Sequence, residues 1–344
     1  MSLQAAQEGT KVSPKVQELR ELKDALTSEP HSLPWRQRVG NQRDWVWRGW
    51  RIRYTYWRSP LPKATPVLLL HGFGASIGHW RHNFAALGES HTVYALDLLG
   101  FGGSAKAAIS YDTNLWVELV WDFWLTFIRQ PTVLMGNSIG SLVCVGVAGA
   151  HPEMVKGLVM INLPDFSVRE EMLPPWLQPV VRSIENLFTS PLLIKPLFYL
   201  LRRPAVVKKW AGMAYYNPAA ITEELVEILS SPALDHGSAT TFAALFRGMS
   251  SPSFAPPLGS ILPHLTMPLL LIWGRHDRMI PPIWQTVLSA MNPAVEIVAL
   301  DAGHCPHDEC PEVVNLILCQ WLSRLQGNLP SPPTPLPEGE GSRK

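Results

Sequence analysis

The chain is poor in cysteine, in charge of one sign and in long apolar runs, and each shortage excludes a class of protein. Four cysteines, at 144, 305, 310 and 319, are too few and too irregular for a disulfide framework or a paired C-x-x-C zinc site, which points to a reducing compartment. Lysine plus arginine number 29 against 28 acids, so a formal charge of +1 leaves no field to gather nucleic acid. The most lipid-like stretch, Leu187 to Leu201, is broken by Pro191, Lys195 and Pro196 and falls short of the roughly 20 apolar residues a span needs. The first 30 residues mix acids and bases with no apolar core, so neither a secretory signal nor an acid-poor transit peptide is expected. The expected location is cytoplasmic, and the tryptophan-rich, basic segment before residue 60 leaves peripheral membrane contact open. What the chain has in quantity is apolar material, 47% against 17% charged, enough for a large packed core among its 344 residues.

The period of that apolar material changes along the chain. Residues 1–41 are polar and read as an arm; the tail from 328 to 344 is Pro-rich and reads as disordered. Between them, Asp44 to Arg58 alternates as a strand pair. Short apolar runs at Val67–Leu70, Thr92–Leu96, Thr132–Met135, Gly157–Ile161, Leu269–Trp273 and, more weakly, Val295–Leu300 read as buried strands. Helical stretches separate most of them: Asn114–Ile128, Ile139–Ala150, Pro282–Met291 and Pro311–Leu325. The alternation predicts an α/β class, a mostly parallel sheet covered by helices on both faces. It is interrupted once, over 165–265, by Pro-punctuated helical sequence that reads as an inserted cap. The core is therefore divided into 42–164 and 266–327. Ligands of open parallel sheets bind beyond the carboxyl ends of the strands, where such a cap would roof them.

Chemistry concentrates at those strand ends. Gly136-Asn137-Ser138-Ile139-Gly140 follows an apolar run and precedes an apolar helix, the context in which a sharp turn lifts a serine hydroxyl out of the sheet. Such a serine needs a base and an acid, in the chain order Ser, acid, His. His304, in the turn after the last strand, is the candidate base, preferred over His307 in the following segment. Asp277, after the strand ending at Trp273, is the candidate acid, with Asp165 as runner-up. His71-Gly72-Phe73-Gly74 stands where an oxyanion loop belongs, with the backbone N–H groups of Phe73 and Ile139 as the donor pair. Candidate substrate contacts are His71, Gly72 and Asn137 beside the turn and Trp176 and Phe198 in the cap. Leu98 to Ser104 lacks the spacing of a phosphate loop and reads as a strand-end turn. Arg202, Arg203, Lys208 and Lys209 read as a solvated basic face. No metal constellation is visible, and none of this chemistry calls for a cofactor.

Together, His71 to Ser76, Asp97 to Ser104, Gly136 to Gly140, Gly274-Arg275-His276-Asp277 and Gly303-His304 resemble the α/β-hydrolase superfamily over about residues 44 to 325. Ser138 sets the chain apart from the epoxide hydrolases and haloalkane dehalogenases of that layout, which carry aspartate at the elbow. Asn114-Leu115-Trp116 and above all the string 302–312, Ala-Gly-His-Cys-Pro-His-Asp-Glu-Cys-Pro-Glu, resemble the pheophytinase-like chlorophyll-ester hydrolases of cyanobacteria and plastids. Ser141 departs from that pattern, where a second glycine is frequent. The resemblance implies Ser138, Asp277 and His304 as nucleophile, acid and base acting on a small hydrophobic, phytyl-type ester, and a location peripheral to a photosynthetic membrane. Carbon–carbon bond hydrolysis or perhydrolase chemistry would use the same residues. A non-catalytic binding protein is a more distant alternative.

Overall fold

The computed structural model describes residues 33–61, 64–166 and 191–327. Eight strands, β1 (Asn41–Trp47), β2 (Trp50–Trp57), β3 (Pro66–Leu70), β4 (Thr92–Leu96), β5 (Thr132–Asn137), β6 (Val155–Ile161), β7 (Leu269–Gly274) and β8 (Val295–Leu300), form one sheet in the order β1-β2-β4-β3-β5-β6-β7-β8. β1 and β2 pair antiparallel with each other and β2 with β4; every other pairing is parallel.

The apolar runs carry no alternation because both faces of the central strands are buried. Leu68, Leu134, Leu158 and Leu271 face one helical layer, which includes Trp116 and Val120 of the helix Thr113–Phe123 and Val143 and Val147 of Ile139–Ala150. Val67, Val133, Val159 and Ile272 face the other, against Phe84 and Leu87 of Phe84–Gly88 and Val314, Leu318 and Trp321 of Pro311–Leu325. The strand residues and helix residues named here are nearly solvent-free, which at about 25 cal/mol per Å² makes this double-sided burial the main stabilising term.

Numbered in chain order, the helices are α1 (Trp35–Arg38), α2 (Phe84–Gly88), α3 (Thr113–Phe123), α4 (Ile139–Ala150), α5 (Pro191–Leu201), α6 (Pro204–Ala214), α7 (Glu223–Ser230), α8 (Ser238–Met249), α9 (Trp284–Met291), α10 (Pro306–Glu309) and α11 (Pro311–Leu325). Helices α5 to α8 all lie between β6 and β7, where the sequence places its insertion. Two expectations shift. The helix from Asn114 ends as an α-helix at Phe123 and continues as a wider turn, Trp124–Ile128, that Arg129 closes with φ of 57°. Residues 35–41, read as part of the polar arm, pack onto the fold: Val39 is fully buried and Asn41 opens β1. Residues 1–32, Trp176 and the Pro-rich tail lie outside the described residues. Among the described residues no helix is long and apolar enough to cross a membrane, and no group of three or more His, Cys, Asp or Glu could hold a metal ion.

Candidate active site

Ser138 sits between β5 and α4 with φ of 55° and ψ of −120°, a backbone conformation that a non-glycine residue adopts only where the surroundings impose it. The imposition is visible. Its N–H donates to the Ile161 carbonyl at 2.8 Å, and its own carbonyl accepts from Leu142 N–H at 3.1 Å, so sheet and helix each claim one end of the residue. A Cβ on Gly136 would run into the backbone of Gly140, and one on Gly140 into the carbonyls of Leu70 and His71; only glycine lets the helix start this close to the strands. Ser141 bonds to the Gly136 carbonyl at 2.6 Å and accepts from Ile161 N–H at 2.9 Å, which gives this departure from the glycine pattern a structural task.

His304 Nδ1 bonds to Asp277 Oδ2 at 2.7 Å, both side chains being nearly inaccessible to solvent. That bond leaves Nε2 as the nitrogen free to face a reacting group. The Asp277 carboxylate is saturated. Oδ2 also accepts from Asn162 Nδ2, while Oδ1 accepts from the N–H groups of Met279 at 2.7 Å and Ile280 at 2.9 Å. Burial pushes the Asp277 carboxyl up, but the His304 bond and charge, the Ile280 N–H and the Asn162 amide outweigh it and hold the group below its ordinary 3.8. The runner-up, Asp165, lies half-buried in the loop after β6, whereas Asp277 holds the histidine. His307 is fully buried instead, packed against Trp80 and His79 with ring centroids 4.3 and 4.6 Å away.

Asn137 joins elbow to histidine: its amide donates to the His304 carbonyl at 3.0 Å. The turn at Gly72 lies against both. A Cβ there would come within 2.9 Å of Asn137 Oδ1 and 3.3 Å of Ser138 Cβ. Ala75 N–H closes this turn onto the Gly72 carbonyl at 3.3 Å, which leaves Phe73 N–H outside the turn's own bond, and Ile139 N–H, at the first position of α4, has no partner within its helix. Ile139 thus belongs to the elbow itself, and Phe73 follows the glycine that packs against it. His71 is sealed beneath, with Nδ1 bonded to the Gly72 carbonyl at 2.7 Å and Nε2 accepting from Leu98 N–H at 3.1 Å. This pattern belongs to a neutral ring, and burial lowers its pKa accordingly, opposed in part by Asp97. Asp97 in turn accepts from Ile77 N–H and Gly103 N–H, each at 2.6 Å, so the 98–104 segment is a strand-end turn that buttresses the segment after β3.

From Phe73 an aromatic chain runs into the insertion. Its ring meets Phe101 at 5.5 Å and Phe242 at 6.3 Å, and Phe242 meets Phe198 at 5.0 Å. Phe198 is buried on α5, and Phe73 is partly exposed.

Three contributors escape a reading of the sequence. Asn162, with φ of 48°, holds Asp277 and accepts from Gly274 N–H at 3.2 Å. Glu309 accepts from Gly303 N–H at 2.8 Å, Tyr216 N–H at 3.0 Å and Asn217 N–H at 2.6 Å. Asp308 accepts from Arg81 at 2.6 Å and from the Tyr215 hydroxyl at 2.6 Å. The only sequence signal for the last two was their place in the string 302–312.

Residues 67–315 match the profile of the alpha/beta hydrolase family. Among curated proteins the chain is similar to the chloroplastic pheophytinase of Arabidopsis thaliana, 25% identical over 306 residues, which is 76% of this chain and 62% of that protein. The match thus spans less than two thirds of that relative's length. Among solved structures it resembles a membrane phospholipase A, with a TM-score of 0.68 and 24% identity over 90% of this chain and 92% of that one. It also resembles a thermophilic esterase from Thermogutta terrifontis, with a TM-score of 0.65 and 20% identity over 83% and 99%.

Proposed function

We propose that this chain, which belongs to the alpha/beta hydrolase family, is a serine hydrolase that cleaves a hydrophobic carboxylic ester through Ser138, His304 and Asp277. The observation that carries the reading is the 2.7 Å bond from His304 to a fourfold-bonded Asp277 carboxylate, beside a serine held at positive φ between strand and helix. His304 Nε2 takes the Ser138 hydroxyl proton as the oxygen attacks the ester carbonyl. The Phe73 and Ile139 N–H groups receive the charge that develops on the carbonyl oxygen. The imidazolium, paired with Asp277, returns its proton to the departing alcohol and leaves an acyl-serine. A water molecule activated by the same nitrogen then releases the acid and restores the enzyme.

Asp277 stays ionised throughout, because its bonds hold its carboxyl below the ordinary range. Support for a hydrophobic substrate comes from the Phe73–Phe242–Phe198 chain beside the oxyanion turn and from the similarity to a pheophytinase. A phytyl-type ester is the substrate proposed on that basis. His71, Gly72 and Asn137 act by shaping the turn, and Phe198 acts as part of the apolar wall.

The experiment is covalent labelling with a fluorophosphonate followed by peptide mass spectrometry, alongside turnover of p-nitrophenyl esters of rising chain length and of pheophytin. Label at Ser138, and loss of turnover by about 10⁴–10⁶-fold in Ser138→Ala with melting within about 1 kcal/mol of the wild type, are expected. Label elsewhere, or an active Ser138→Ala, overturns the nucleophile. Release of phytol from pheophytin by the wild type alone supports the pigment ester; turnover of simple esters only removes it.

A further inference from the structure

Helices α5 and α6 bury one side and expose the other, as amphipathic helices do, but the exposed side carries large apolar side chains. On α5, Ile194 and Phe198 point inward, while Leu197, Tyr199 and Leu200 are 42%, 51% and 48% exposed. On α6, Ala211 is buried with the adjoining Tyr215, while Trp210 and Met213 are 53% and 49% exposed. A helix on the surface of a water-soluble domain ordinarily turns charge outward at these positions.

The charges that are present have one sign. From 191 to 222 there are five cations, Lys195, Arg202, Arg203, Lys208 and Lys209, and no aspartate or glutamate. The three acids that follow the segment are paired. Glu223 pairs with Lys208 at 2.6 Å, Glu224 accepts from Arg81 at 2.8 Å and from Arg38, and Glu227 lies 4.0 Å from Arg36. The Arg202 guanidinium stacks over the Tyr199 ring at 4.6 Å, which keeps a cation and an aromatic together on the outer side. Large apolar side chains interleaved with an excess of cations match an interface in which acyl chains lie beneath anionic headgroups.

We propose that the outer face of the α5–α6 hairpin docks on an anionic lipid surface. The inner side of the same hairpin reaches the candidate site: Phe198 contacts Phe242, which contacts Phe73, and the last residue of α6, Ala214, accepts from His304 N–H at 2.6 Å. Docking there brings a bilayer against the helices that roof the site, so an ester dissolved in the lipid needs no passage through bulk water. Binding to lipid does not depend on the ester reading and is measured without it.

The test is flotation of the full-length protein with vesicles of phosphatidylcholine and of equimolar phosphatidylcholine and phosphatidylglycerol, at low and high salt. Binding to the mixed vesicles at least about tenfold above phosphatidylcholine alone is expected, with a further loss of at least about tenfold in Arg203→Glu/Lys209→Glu. Leu200→Ser/Trp210→Ser should abolish the binding that survives high salt. Melting curves and fluorophosphonate labelling establish that each variant is folded, since none of these residues touches the triad. Absent flotation, equal binding to both vesicles, or binding that the variants leave unchanged overturns the proposal. Concentration-dependent self-association that these substitutions remove, in place of flotation, assigns the face to a second copy and overturns it as well.

Discussion

At the scale of single residues, the acid of the site is defined more by what surrounds it than by its own identity. Asp277 follows β7 by three residues, and two of its four bonds are local ones that turn the loop back on itself, to the N–H groups of Met279 and Ile280. Asn162 and His304 turn this loop carboxylate into the acid of the proposed triad. Asn162→Gly removes the amide while keeping positive φ free of strain, so its effect reports the side chain alone. We expect a stability loss of about 1–3 kcal/mol for the lost bond to a buried carboxylate, and a lower kcat with KM little changed. Urea melts and ester kinetics check this. Unchanged kcat would reduce Asn162 to a strand-end residue. Asn162→Asp should do more harm, since a second carboxylate against Asp277 raises the pKa of one of the pair.

At the scale of elements, the 302–312 string works as a joint. Glu309 ties the His304 loop to Tyr216 and Asn217 at the end of α6, and His304 N–H reaches Ala214 in the same place. Asp308 joins Arg81 of the core to Tyr215, whose hydroxyl also meets His79 Nε2 at 2.8 Å; Arg81 and Arg38 converge on Glu224 of α7. The insertion is thus bonded to the base of the site by a buried polar network and does not merely rest on it. Tyr215→Phe should loosen α6 and α7 at a cost of about 1–3 kcal/mol, seen as faster amide exchange in those helices while the sheet stays protected. Exchange that rises uniformly would mean the network serves global stability only. The strands, the elbow and the His304 turn were legible because each is local: an apolar run ended by glycine, or a motif within a few residues. The network was not, because its members are single polar residues whose partners lie far off in sequence, Asn162 and Asp277 being 115 apart and Tyr215 and Asp308 93 apart. The α1 segment was misread for a related reason. Its polar composition hides Arg38 and Val39, which bury themselves against elements folded from later sequence.

At the scale of the whole molecule, the same joint makes the fold sensitive to acid. His79 and His307 are fully buried, and burial drives both well below 6.5; Arg81 and the other histidines add to this, and Asp308 opposes it only at His307. Nδ1 of His79 and both ring nitrogens of His307 have no hydrogen-bond partner among the described residues, so a proton arriving there finds no acceptor to share it. The unfolded chain binds protons at these positions from about 6.5 downward while the folded chain does not. Their contribution is therefore complete above that pH and is lost as pH falls, at about 1.4 kcal/mol per pH unit for each ring in its window. His71 and His91, which burial also lowers, act in the same direction, and the carboxylates differ. Asp277, held low, adds its own loss only below the ordinary carboxylate range, and Asp97, which burial raises, acts in the opposite sense in acid. Between pH 6.5 and 5.5 the histidines dominate, so urea midpoints should fall steeply across that interval and stay level above pH 7. His307→Leu should make the slope shallower, because one of the titrating rings is gone while His79, His71 and His91 remain. An unchanged slope would move the acid sensitivity away from this joint. On the function proposed above, loss of ester turnover on acidification should track the unfolding transition, because the joint holds the His304 loop to α6.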